Sequence, residues 1–275
     1  MANVRPFANR VADMMARFGP LCVGIDPHSS LLESWGLPDS ADGVREFGLR
    51  VVESSVGRVG ILKPQIAFFE RHGSAGYAAL EDVIAAARAA ELLVIADVKR
   101  GDVGTSVDAY GDAWLAPESP LAVDAMTAVA YQGLGSLAGV MAKAASWGAG
   151  VFVLAATSNP EAAVTQQARR ADGVSVAAGV LADIREQATG SVGVVVGATI
   201  TMDDFGFTAE DLAGLLILAP GFGAQGAQIA DVPRLYGAAT PQVLVSVSRS
   251  ILSGGAGAVA DRIDFANSET ASWRA

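Results

Sequence analysis

Cysteine is almost missing from this chain. Cys22 is the only one among 275 residues, so no intrachain disulfide can form. That shortage fits a reducing, intracellular compartment. Cys22 itself sits in the apolar run PLCVGID and is expected to be a small core residue. Histidine is nearly as scarce. His28 and His72 are too few for a histidine-rich metal site, although carboxylates could still hold a metal. Neither histidine, and none of the four tryptophans, is assigned a role beyond packing or surface placement.

Positive charge is short as well. Lys and Arg number 19 against 29 Asp and Glu, a formal net charge of -10, and no basic stripe suits a nucleic-acid backbone. The acidic excess speaks for solubility, not for a partner. Long apolar runs are lacking too. The opening MANVRPFANRVADMMARFG is interrupted by Arg5, Arg10, Asp13 and Arg17 and holds no signal-peptide core. Residues 212–230, LAGLLILAPGFGAQGAQIA, carry no charge. Their PGFG segment would break a helix, and the apolar run before it is too short to cross a bilayer. They are expected to form a buried strand and its loop. No Pro- or Ser-rich linker divides the chain.

What the chain does have is apolar residues, 51% of the total with only 17% charged, enough for a large core. Short, often β-branched runs recur: PLCVGIDP (20–27), GILKPQIA (60–67), LLVIADVK (92–99), AVDAMTAV (122–129), GVFVLAATS (150–158), VGVVVGAT (192–199), LLILAPGF (215–222) and QVLVSVSR (242–249). Most are apolar at both parities, as in parallel strands buried on both faces. Helical patterns lie between several of them. Ser40 and Ser74 are N-cap candidates, Pro160 and Glu161 suit a helix start, and Thr208 with Asp211 resembles a capping box. The tail DFANSETASWRA reads as a helix end or a frayed segment. Eight strands alternating with helices predict an α/β fold, one (β/α)8 barrel spanning residues 1–275 as a single domain. A doubly wound open sheet is the rival.

Polar residues gather where these runs finish: Asp26, Lys63, Asp97 with Lys99, Ser158, Thr199, Gln225 just beyond, and Arg249. The strand starts are nearly all apolar. In a barrel the reacting groups stand at the strand ends. Asp97 and Lys99 in IADVKRGDVG are two apart and so share the inner face with Ile95, while Asp102 lies beyond, in a loop that Gly101 and Gly104 help to turn. A structural ion-pair plug is the bland alternative for this triplet, but a plug has no need of Lys63, Ser158 and Arg249 around it. The loop APGFGAQG (219–226) after the seventh strand and SRS (248–250) after the eighth stand where barrels often bind phosphate.

The spacing Asp-x-Lys-x-x-Asp in DVKRGD resembles the central motif of the orotidine 5'-phosphate decarboxylase family. VGIDPH, KPQIAFFE, ADVKRGDVG, LAATSNP, VVVGAT, APGFGAQG and SRS follow in that family's order, and KPQ and ATSNP resemble its longer bacterial branch. The resemblance implies decarboxylation of orotidine 5'-phosphate to UMP in the cytoplasm, without cofactor or metal, by a homodimer with shared sites. It implies that Lys99 is the proton donor to ring carbon six and that Asp97 lies beside the substrate carboxylate. Asp102 would reach in from the second subunit, and Asp26 and Lys63 would hold the ribose hydroxyls. Ser158 would meet the pyrimidine edge, and Gln225 and Arg249 the phosphate. Ser106 stands where the family usually has Thr and keeps a hydroxyl for the ribose region. Ala130 stands where relatives often have Pro, which bears on the loop after the fourth strand. A metal-dependent sugar-phosphate decarboxylase or lyase on a similar barrel, and a non-catalytic phosphate-ligand sensor, are the alternatives.

Overall fold

Each of the eight apolar runs carries one strand, the third reaching one residue past its run. In the computed structural model, which describes residues 4–187 and 190–274, they are β1 (Leu21–Ile25), β2 (Ile61–Pro64), β3 (Leu93–Arg100), β4 (Ala125–Ala128), β5 (Gly150–Ala156), β6 (Val192–Val196), β7 (Leu216–Pro220) and β8 (Val243–Val247). All neighbours are parallel, and β8 returns to β1, pairing Val245 with Leu21. The sheet is therefore a closed barrel, and the open-sheet alternative falls.

Side-chain parity explains both layers of the core. Cys22, Ile61, Leu93, Ile95, Ala125, Phe152, Val195, Leu218 and Leu244 form the cluster inside the barrel. Their immediate neighbours Leu21, Val23, Leu62, Val94, Val151, Val153 and Val243 belong to the larger cluster between barrel and helices. Alternation on a strand sends successive side chains to opposite faces, and here both faces are buried. Full burial of the Val, Leu, Ile and Phe side chains among them stabilises by about 1.5–3 kcal/mol each.

Helix α1 (Phe7–Phe18) closes the lower end of the barrel. Its Phe7 meets Phe152 edge to face, centroids 5.9 Å apart. Arg10 pairs with Asp124, whose other oxygen accepts the Val94 N–H at 2.7 Å. Cys22 is buried here, as expected, and burial pushes its thiol up to about 12.

The outer ring is built from α2 (Ala41–Ser55), α3 (Gly73–Ala89), α4 (Gly104–Leu115), α5 (Ala138–Trp147), α6 (Val176–Glu186) and α7 (Val259–Arg274), with shorter helical pieces between them. Ser40 caps α2 by accepting the Gly43 N–H at 3.3 Å. Ser74 does not cap α3, which starts one residue before it. The His72 carbonyl already accepts the Gly76 N–H, so the first turn is closed without it. Pro160 and Glu161 precede a helix of only five residues, Ala162–Gln166. The Thr208–Asp211 capping box is present, on a 3-10 turn, Ala209–Leu212, and no long helix lies between β6 and β8. The tail is helical to Arg274, anchored by Trp273 Nε1 donating to the Ile229 carbonyl at 3.2 Å. No helix among the described residues is long and apolar enough to cross a membrane, and the 212–230 segment supplies β7 and its loop.

Candidate active site

Above the apolar barrel interior the inward parity turns polar. It runs from Ile61 to Lys63, from Ile95 to Asp97, from Ala125 to Thr127 and from Leu244 to Ser246. A cavity opens over this layer, bounded by Asp26, Lys63, Asp97, Gln225 and Arg249 among others. Five of the nine expected site residues thus line one pocket at the strand ends.

Asp97 is its centre. Lys63 Nζ donates to Oδ2 at 2.9 Å and Lys99 Nζ to Oδ1 at 2.5 Å. Thr127 Oγ1 also donates to Oδ1, at 3.1 Å. Gln65, with its amide turned so that both ends are satisfied, donates to Oδ2 at 3.1 Å and accepts from Lys99 Nζ at 3.3 Å. Each carboxylate oxygen therefore accepts two hydrogen bonds, which fills its acceptor capacity. Burial alone would raise the Asp97 pKa, but Lys63 and Lys99 outweigh it and hold the carboxyl well below the usual range. Burial likewise opposes charge on Lys63. Asp97 and then Asp26 overcome it and keep the ammonium protonated above its ordinary value. The outcome is an alternating array, Lys63–Asp97–Lys99, in which the Lys63–Asp97 pair stays ionised at neutral pH.

The array is graded in exposure. The Lys63 and Asp97 side chains are 8% and 13% exposed, whereas that of Lys99 is 43% exposed and open to an incoming molecule. Lys99 also departs from the strand geometry that its spacing suggested. Its φ is +48°, and the β3–β4 register shifts between Ala96 and Arg100. Strict alternation thus ends before Lys99, yet its ammonium still reaches Asp97.

Asp26 adds a carboxylate oxygen that is buried and has no hydrogen-bond partner. An unpartnered buried acceptor suits a hydroxyl donor from a ligand. Across the cavity, the β7 loop turns through Gly221, Gly223 and Gly226, all at positive φ. Gln225 and Arg249 face the cavity from this loop and from the residues after β8. His28 lines it too, held below its ordinary pKa first by burial and then by the nearby Arg249.

Lys99 joins the cavity through its contact with Asp97 and is not itself among the lining residues, and the other expected residues lie apart. Ser158 is exposed on the loop after β5, with its backbone nitrogen near Gly197. Thr199 is exposed after β6. Asp102 does not line the cavity of its own chain; its Oδ1 accepts the Val103 N–H at 2.8 Å. Ser106 is exposed in the first turn of α4. The loop carrying Asp102 is tightly seated, because a Cβ on Gly101 would come within 2.3 Å of the Val129 carbonyl oxygen. Ala130, in the facing loop, accepts a turn hydrogen bond from the Gly133 N–H at 3.0 Å. Gln65 and Thr127 were not singled out from the sequence, although both continue the inward side of a strand.

Comparison with known proteins supplies context for this geometry. Residues 19–262 match the model of the family described as "Orotidine 5'-phosphate decarboxylase / HUMPS family". The chain is 50% identical over 263 residues to the orotidine 5'-phosphate decarboxylase of Salinispora tropica, covering 93% of each. It is 52% identical over 257 residues to that of a Nocardioides species, covering 90% of this chain and 92% of the relative. A solved structure from Streptomyces avermitilis matches with a TM-score of 0.89 at 45% identity, over 98% of this chain and 95% of that one. The Leishmania donovani OMP decarboxylase matches with a TM-score of 0.80 at 28% identity, over 97% and 98%.

Proposed function

The chain belongs to the orotidine 5'-phosphate decarboxylase family, and from that premise we propose how its barrel mouth converts orotidine 5'-phosphate to UMP, the last step of pyrimidine nucleotide biosynthesis. The Asp97 carboxylate held between Lys63 and Lys99 is the observation that carries the mechanism.

Loss of carbon dioxide leaves negative charge on a ring carbon with no adjacent carbonyl to accept it. A fixed cation beside that carbon is the direct remedy, and it works best when no group must reorganise as charge develops. Lys99 is such a cation, and it is also a proton source for the same carbon. Asp97 fixes Lys99 and, beside the substrate carboxylate, disfavours the ground state as carbon dioxide leaves. No cofactor enters this scheme. Asp26 and Lys63 receive the ribose hydroxyls, with the unpartnered Asp26 oxygen as one acceptor. Gln225 and Arg249 take the phosphate, whose binding stabilises the closed, water-poor site. Ser158 meets the pyrimidine edge from the rim.

Asp102 and Ser106 complete the site of a second copy in a homodimer. Their position outside their own cavity supports this arrangement, as does Val103 beside them, an exposed apolar side chain at 55%. The setting is the cytoplasm. Spectrophotometric turnover of orotidine 5'-phosphate, with and without a chelator, tests the whole scheme. Turnover unaffected by chelation is expected. Turnover abolished by it would favour the metal-dependent lyase, and no turnover at all would favour a phosphate-ligand sensor.

A further inference from the structure

We propose that Thr127 is a positioning residue for the decarboxylation, acting through Asp97 and Lys99 without touching the substrate. The inference rests on the mechanism above and deepens it.

Thr127 lies on β4 and is 1% exposed. Its single hydroxyl makes two contacts with two members of the charged array. It donates to Asp97 Oδ1 at 3.1 Å and accepts the Lys99 backbone N–H at 2.9 Å. The second contact has a cause in the sheet. Ala96 pairs with Met126, but the next partner of β4 is Arg100, opposite Ala128. The extra residues on β3 take the Lys99 N–H out of the paired register, and a partly buried amide without a partner is costly. The Thr127 hydroxyl meets that need. It thereby holds the one charged residue of the site in the left-handed region, where a side chain other than glycine is strained.

The two contacts lie on one hydrogen-bond chain. The Lys99 amide donates to Thr127, Thr127 donates to Asp97 Oδ1, and the same oxygen accepts from Lys99 Nζ at 2.5 Å. The ring so formed ties the backbone of Lys99 to its own ammonium through a neighbouring strand. Without the hydroxyl, the Lys99 backbone is free to leave the left-handed region and the Asp97 carboxylate is free to rotate. Either motion shifts the ammonium relative to the reacting carbon.

Steady-state kinetics on Thr127→Val and Thr127→Ser test this, with thermal unfolding confirming that each is folded. Val keeps the branched shape and loses both hydrogen bonds; Ser keeps the hydroxyl and loses a methyl. A misplaced catalytic group lowers the rate by about 10- to 100-fold, so that loss of kcat is expected for Thr127→Val, with KM within about three-fold because substrate binding is unaltered. Thr127→Ser should recover kcat to within about three-fold of the parent. A folded Thr127→Val with parental kcat overturns the proposal, and so does a Thr127→Ser as impaired as the Val variant. If the Val variant does not fold, Thr127→Ala, which also lacks any donor or acceptor, replaces it, and a parental kcat there is equally decisive. A parent inactive on orotidine 5'-phosphate would remove the mechanism itself, an outcome distinct from an active parent that is indifferent to the Val change.

Discussion

Lys63 and Asp97 form an ion pair across neighbouring strands, Nζ to Oδ2 at 2.9 Å, with both side chains largely withdrawn from solvent. Removing one partner from such a pair leaves an uncompensated buried charge, at a cost of roughly 3–5 kcal/mol. Asp97→Asn should therefore unfold more easily than the parent at neutral pH. The difference should depend on pH in a defined direction. Asp97 is depressed below its ordinary 3.8 in the folded protein. Its stabilising contribution is present above the unfolded value and is lost as pH falls through the lower folded value. Urea unfolding of both proteins from pH 7 down to pH 3 should show the gap narrowing. A gap that widens toward acid would contradict the pairing.

Lys99→Ala should fold and lose most turnover. Removal of a general acid costs roughly 10²–10⁴-fold, and more where the charge also stabilises the carbanion. Single-turnover measurement on saturated enzyme separates this loss from weaker binding. A rate within a few-fold of the parent would end the assignment of Lys99 as proton donor.

Arg249→Ala should act chiefly on binding. Charged hydrogen bonds of the kind a phosphate makes contribute about 1.5–3 kcal/mol. Phosphite added to a truncated nucleoside substrate should stimulate the parent more than the variant. Equal stimulation would move the phosphate elsewhere on the barrel mouth.

Asp102 offers a test of the dimer. Lys99→Ala and Asp102→Ala, each inactive alone, should regain activity when mixed and allowed to exchange subunits. Each hybrid would hold one site with both defects and one with neither, giving about half the parental activity if the sites are independent. Differential tags establish that hybrids form. Confirmed hybrids without activity would assign Asp102 to its own chain.

The barrel was legible because its strands are apolar at both parities, a pattern that only two-sided burial explains. The cluster of Asp26, Lys63, Asp97, Gln225 and Arg249 was legible for a related reason: charge at the end of a buried run is conspicuous. Thr127 and Gln65 were not, since a hydroxyl in AMTA and an amide after KP look like ordinary strand residues until a neighbouring strand is in register. The left-handed Lys99 left no trace either, because nothing in DVKRGD distinguishes an irregular strand end from a regular one. Ser74 misled for the opposite reason, being a good cap type at a turn whose donors were already satisfied. Between β6 and β8 the predicted alternation with helices gave way to short turns. A capping box there starts only a four-residue 3-10 turn, Ala209–Leu212.

Pairing of β8 with β1 has a consequence for the birth of the chain. During synthesis β1 through β7 can emerge and align, yet β1 and β7 each keep an edge of unpaired backbone groups until Val243–Val247 leaves the ribosome. Such edges are templates for pairing with other chains. The last strand removes both at once, so a nascent chain stalled before Val243 retains two sticky margins that the finished protein never displays.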